Sequence, residues 1–103
     1  MNKEILQKAI DTYGIFPQID MCIEEMSELT KALCKIKRAG AKKDYIVDVL
    51  RQVYLIRENV IEEMADVEIT LAQQKIIFGC EEEVKQQIDF KLNRLKERLD
   101  NEV

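Results

Sequence analysis

Apolar residues recur at steps of three and four along nearly the whole chain, the spacing that gathers them on one face of an α-helix. Ile5, Leu6, Ala9, Ile10 and Tyr13 form a first such face, which predicts a helix from about Asn2 to Tyr13. Gly14 breaks it, and Pro17 falls where a first helical turn tolerates a missing N–H. A second helix is predicted to run to about Arg38 on the stripe Ile19, Cys22, Ile23, Met26, Leu29, Leu33 and Ile36, with Ala39-Gly40-Ala41 as the turn after it. From Lys43 to Phe78 the pattern stays helical, through Ile46, Leu50, Val53, Val60, Met64, Val67 and Leu71, with no Gly or Pro. One straight helix of that length would span about 50 Å at 1.5 Å per residue, so a bend or interruption before Asn59 is expected. Gly79 ends the run. A last helix is predicted from near Glu81, with Glu81, Glu82 and Glu83 at its positive end and Val84, Ile88, Leu92, Leu95 and Leu99 along one side.

Each helix is amphipathic, and none can bury its apolar face alone. The expected fold is therefore all-α, a small bundle of about four helices. With 103 residues the chain is expected to be a single domain, 1–103. A bundle this small is expected to complete its core by oligomerisation, as a homodimer or homotetramer.

Composition narrows the function classes. Apolar residues make up 47% and charged residues 35%, a mix that suits a folded helical protein rather than a disordered one. No apolar run reaches the roughly 20 residues that cross a bilayer, and the amphipathic start MNKEILQKAI lacks a signal-peptide core, so a cytoplasmic location without membrane association is expected. The net charge of −4 argues against a nucleic-acid partner. The local exception is the basic patch Lys35–Lys43, whose alternatives are a phosphate site and cations suited to a helix C-terminus. Cys22, Cys34 and Cys80 lack paired spacing, which speaks against disulfides; Cys22 and Cys34 are expected in the core. Tyr13 and Phe16 are expected there too, with base stacking as the alternative. The chain contains no histidine, so any metal would be a hard cation held by oxygen and any general base a carboxylate, a lysine or a metal-activated water.

The acids are patterned. The tetrapeptide IEEM occurs at Ile23–Met26 and again at Ile61–Met64, each time with a further acid three positions after its second glutamate: Glu28 after Glu25, and Asp66 after Glu63. On a helical wheel Glu25 lies between Met21 and Ala32 on one side and Leu29 and Ile36 on the other, all within about 40°. Glu28 lies about 60° round, and Glu24 about 100° round toward water. Glu63 has Val60 and Val67 as neighbours at i−3 and i+4 and likewise borders an apolar face. Exposed acids at such spacing repel by only a few tenths of a kcal/mol. If the two helices packed face to face, carboxylates about 5 Å apart would repel by roughly 3 kcal/mol per pair at an effective dielectric near 20. A divalent cation or a proton would then have to intervene. The alternative is that all of these acids are solvated helix surface.

These motifs resemble those of the MazG-like members of the all-α NTP pyrophosphohydrolases. Their EExxE matches Glu24-Glu25-Met26-Ser27-Glu28, and their ExxD on the next long helix matches Glu63-Met64-Ala65-Asp66. An upstream Gly-x-x-x-Gln is similar to Gly14–Gln18, a Glu-Leu-x-Lys-Ala form to Glu28–Ala32, and a K-x-x-R on the last helix to Lys91 and Arg94. The likeness spans about Gly14 to Arg98. It departs from the compact members in the length of the interval between the motifs, residues 29–62, with the excess between Gly40 and Asn59.

The resemblance implies Mg²⁺-dependent, or Mn²⁺-dependent, hydrolysis of an NTP or dNTP between the α- and β-phosphates, giving a monophosphate and pyrophosphate. Glu25, Glu28, Glu63 and Asp66 would be the metal ligands, with Glu24 as a catalytic proton acceptor or outer ligand. Lys31, Lys91 and Arg94 would pair with phosphates and Gln18 would touch base or ribose; for each, a solvated surface residue is the alternative. Two other classes stand beside the enzyme: a non-enzymatic helical dimerisation or adaptor module, and a nucleic-acid binder using the basic patch.

Overall fold

Four α-helices follow one another along the chain: α1 (Lys3–Tyr13), α2 (Ile15–Ala41), α3 (Ile46–Phe78) and α4 (Glu81–Asn101). The computed structural model describes residues 1–41 and 46–102, apart from the side chains of residues 39–53 and 55. There is no strand among the described residues, and the fold is all-α.

Local chemistry sets the boundaries. The Asn2 side chain accepts hydrogen bonds from the backbone N–H groups of Glu4 and Ile5 and caps α1. Gly14, at φ 95°, lets the chain turn in one residue: its N–H donates to the Ile10 carbonyl and its carbonyl accepts from Gln18 N–H. Pro17 then falls in the first turn of α2. Gly79, at φ 60°, closes α3 with the paired hydrogen bonds of a Schellman motif: Gly79 N–H donates to the Ile76 carbonyl and Cys80 N–H to the Lys75 carbonyl. The Cys80 carbonyl accepts from Val84 N–H as α4 begins.

Two expected boundaries are corrected. Ala39-Gly40-Ala41 is not a turn; α2 continues through it to Ala41. A lone glycine costs a helix only about 1 kcal/mol relative to alanine, and its basic, helix-favouring neighbours outweigh that. The connection to α3 falls on residues 42–45, outside the described residues. The expected interruption before Asn59 is absent as well, because Ile46–Phe78 is one unbroken helix of 33 residues. Its ideal length of about 50 Å matches the longest dimension of the molecule, 51 Å.

The main packing is an antiparallel pair, α2 against α3. Its seam on α2 is Gln18, Cys22, Glu25, Leu29, Ala32 and Ile36; on α3 it is Val60, Glu63, Val67, Thr70, Gln74 and Ile77, all buried or half-buried. Both rows step alternately by four and three residues, as in a coiled-coil seam. Leu6 and Ile10 of α1 are buried, and Leu6 lines a small hollow with Ala72 and Ile76 of α3. By contrast, α4 has no buried residue, and among the described residues its backbone approaches α3 alone.

The apolar stripes predicted from the sequence are therefore only partly internal. Ile5, Ile23, Met26, Leu33, Met64 and Leu71 are exposed, as are Ile88, Leu92, Leu95 and Leu99 on α4. Tyr13 and Phe16, expected in the core, are 65% and 79% exposed. Cys22 is buried as expected, but Cys34 is exposed, and all three cysteines are free thiols. On α2 and α3 the reason is that apolar residues occupy more than one face, and one chain covers only the shared seam; α4 has little of the chain packed against it.

Candidate metal centre

Halfway along the seam, two of the buried-row positions are acids. Glu25 lies between Cys22 and Leu29 on α2, and Glu63 between Val60 and Val67 on α3. The helices bring them together, and Asp66, one turn on from Glu63, joins them. One carboxylate oxygen from each of Glu25, Glu63 and Asp66 lies within 4.8 Å of the other two. All three side chains are half-buried.

The electrostatics are those of unrelieved like charge. The Glu25 carboxyl is raised above its ordinary value of 4.5, first by desolvation in the seam, then by the charges of Asp66 and Glu63, by a hydrogen bond shared with Asp66 that favours the protonated acid, and by Glu24. The Glu63 carboxyl is raised as well, by desolvation and then by Asp66, Glu28 and Glu62. Among the described residues, no lysine or arginine is among the groups acting on either glutamate. The ion pairs among the described residues, Lys3 with Glu81 and Arg57 with Glu58, lie elsewhere. Three clustered carboxylates without a basic neighbour among the described residues are a donor set of the kind that a hard divalent ion such as Mg²⁺ takes, keeping part of its water shell.

The other expected residues fall into two groups. Glu28 is exposed and outside the three-carboxylate cluster, though its charge reaches Glu63. Glu24 is exposed, next to Glu25 in the chain. Gln18 does share the face of Glu25, but it is 6% exposed, enclosed in the seam rather than presented to solvent. Lys31 is exposed on α2. Lys91 and Arg94 stand on α4, which does not approach α2, so the single chain does not gather them around the acids. Instead Arg94 lies over the Phe90 ring at 5.9 Å, and Lys91 borders a shallow hollow with Cys80, Val84 and Ile88.

One residue the motifs did not point to helps build the site. Gln74 extends the α3 row beyond Val67 and Thr70, and its side-chain amide donates to the Gln18 carbonyl oxygen at 3.2 Å. That bond links the start of α2 to the end of α3, seven residues along α2 from Glu25. The signal available was its place in the alternating step; being polar, it does not register in an apolar stripe. No family model, no curated protein and no solved structure matches the chain.

Proposed function

We propose that this chain is a divalent-metal-dependent nucleoside triphosphate pyrophosphohydrolase, cutting between the α- and β-phosphates to give monophosphate and pyrophosphate. The observation that carries the reading is the meeting of Glu25, Glu63 and Asp66 across two helices, with the glutamates raised by desolvation and mutual repulsion and no basic partner among the described residues. The sequence resemblance to the MazG-like enzymes supplies the reaction; the cluster supplies a reason for its acids to exist.

In this reading Glu25, Glu63 and Asp66 hold Mg²⁺ or Mn²⁺, and Glu28, at the solvent edge, completes the set. The ion supplies charge neutralisation at the phosphates and activation of a water. Glu24, exposed beside Glu25, accepts a proton at its carboxylate. Lys31, one turn beyond Glu28, offers its ammonium to a phosphate oxygen. The reading places the enzyme in the cytoplasm as a homodimer or homotetramer. Lys91 and Arg94 can serve the acids only from a neighbouring copy, since α4 leaves its own α2.

A dimerisation or adaptor module without activity is the second reading, favoured by the large apolar surface left uncovered. Product analysis separates the two. The protein is mixed with canonical and modified NTPs and dNTPs in Mg²⁺. Monophosphate plus pyrophosphate is expected, abolished by EDTA and by Glu63→Gln. Diphosphate plus orthophosphate would overturn the reaction assigned. No turnover, with no effect of Mg²⁺ on thermal stability, would favour the adaptor.

A further inference from the structure

We infer that Gln73, set beside Gln18, reads the base of the nucleotide and so determines which triphosphate is cut. The inference rests on the proposed reaction and adds to it a group that selects the substrate.

Among the described residues, the buried polar side chains are Gln18, Thr70 and Gln73, at 6, 5 and 5% exposure. All three lie between the acids and the end of the α2–α3 pair where α2 begins and α3 stops. The Thr70 hydroxyl is accounted for, since it donates to the Val67 carbonyl. The two glutamine amides are not: among the described residues neither side chain makes a hydrogen bond. Enclosing an unbonded amide costs stability, and leucine would fill a similar space without that cost. Yet among the described residues no fully buried side-chain nitrogen or oxygen lacks a partner. The little surface that each glutamine keeps therefore includes its amide head. Each is a side chain held by packing, with its donor and acceptor open to solvent.

Their places relative to the acids match. Gln73 stands seven residues after Asp66 on α3, and Gln18 stands seven before Glu25 on α2. Seven residues make two turns, about 10 Å along the axis and about 20° round. Each glutamine thus shares a helix face with one acid of the cluster. The helices are antiparallel, so both steps run toward the same end. Gln74, the neighbour of Gln73, donates to the Gln18 carbonyl, which puts the two positions side by side. A triphosphate held at the acids carries its base away from them by the span of its sugar. An amide head offers a donor and an acceptor together, the pattern with which glutamine reads a base edge such as adenine N6 and N7. The sequence likeness implied base or ribose for Gln18; the fold adds Gln73 and makes the base edge the target of the pair.

The experiment measures kcat/KM for the canonical NTPs and dNTPs in Mg²⁺ with wild type, Gln73→Leu and Gln73→Glu. The wild-type chain is expected to prefer one base. Gln73→Leu should shrink the ratio between its best and poorest base by about tenfold or more. Its thermal midpoint in EDTA should not fall, and the rise produced by Mg²⁺ should persist, because no metal ligand is touched. Gln73→Glu keeps the shape but loses the donor, and should change the order of the bases; if the leucine variant does not fold, this variant decides. A wild-type chain that cuts every base equally, or variants that leave the ratio unchanged, overturn the inference and leave the proposed function standing. A lower midpoint with equal loss on every base makes Gln73 a packing residue and overturns it too. A change in the preference between NTPs and dNTPs without one between bases puts the sugar at the amides and overturns the base assignment. No turnover of any nucleotide by the wild-type chain overturns the proposed function, and this inference with it.

Discussion

The side-chain amide of Gln74 donates to the backbone carbonyl oxygen of Gln18 at 3.2 Å, and among the described residues it is the hydrogen bond that ties α3 to α2. Apolar seams specify a face but tolerate sliding; a directed bond specifies a register. Seven residues along α2 from Gln18 is Glu25, and eight residues back along α3 from Gln74 is Asp66, so the same register brings those two acids together. Replacing Gln74 by Ala removes one net hydrogen bond, worth about 1 kcal/mol. The midpoint of thermal unfolding is expected to fall by roughly 4–8 °C for a chain of this size. An unchanged midpoint would mean that the bond does not hold the pair.

Glu25→Gln separates the repulsion from the metal. In EDTA the variant loses one of three clustered charges while keeping a similar shape, so its midpoint should rise above that of the wild-type chain. In Mg²⁺ the order should reverse. A ligand at ten times its dissociation constant stabilises the folded state by about 1.4 kcal/mol, and Glu25→Gln should lose that gain. Scans of both proteins at one concentration, with and without Mg²⁺, check this. A variant that is much less stable than wild type in EDTA would mean that Glu25 is not among mutually repelling acids.

The raised glutamates also fix the sign of a pH effect. Glu25 and Glu63 bind protons more tightly in the folded chain than at their ordinary value of 4.5. The stability they contribute is full below that value and is lost as pH rises through the raised folded values. Glu81 acts the other way: the hydrogen bond and charge of Lys3 lower it, so its contribution is present above 4.5 and is lost only as pH falls through the lowered value. In EDTA, stability is therefore expected to rise as pH is lowered from neutrality toward 4.5. In Mg²⁺ the trend should weaken or invert, because protons and the ion compete for the same oxygens. The double variant Glu25→Gln, Glu63→Gln should flatten the metal-free profile. A wild-type profile as flat as the variant's would remove the coupling.

The pattern of three- and four-residue steps was enough to find four helices, because Gly14 and Gly79 stop them at positive φ and little else interrupts them. It was not enough to place the α2–α3 connection, since Gly40 can be absorbed by a helix that its neighbours favour. Nor could it say which apolar face is internal. Phe16, Ile23, Met26 and Leu33 look as suited to a core as Cys22, Leu29 and Ala32, and only tertiary packing chooses between the two rows. At the candidate site, Glu25 and Glu63 were legible from their apolar neighbours at i±3 and i±4, and Asp66 from its place three residues after Glu63. Glu28 was harder to place: rotated about 60° from Glu25, it leaves the seam while still facing Glu63. Gln74 was missed because a polar residue in a seam looks like surface.

Gly79 launches α4, and its replacement tests how firmly that direction is set. At φ 60° the residue occupies the left-handed region, and a Cβ added there would meet no atom within 4 Å. Gly79→Ala therefore creates no clash with its surroundings; its cost is conformational, about 1–2 kcal/mol for an L-residue forced into this region. Gly79→Asn should cost less than half as much, because asparagine tolerates the same conformation. Midpoints measured at equal protein concentration should rank wild type, then Asn, then Ala. Helix content should stay constant if the turn strains without breaking. An alanine variant as stable as wild type would mean that α3 and α4 can exchange the Schellman turn for another at no cost, and that the projection of α4 is not set by Gly79.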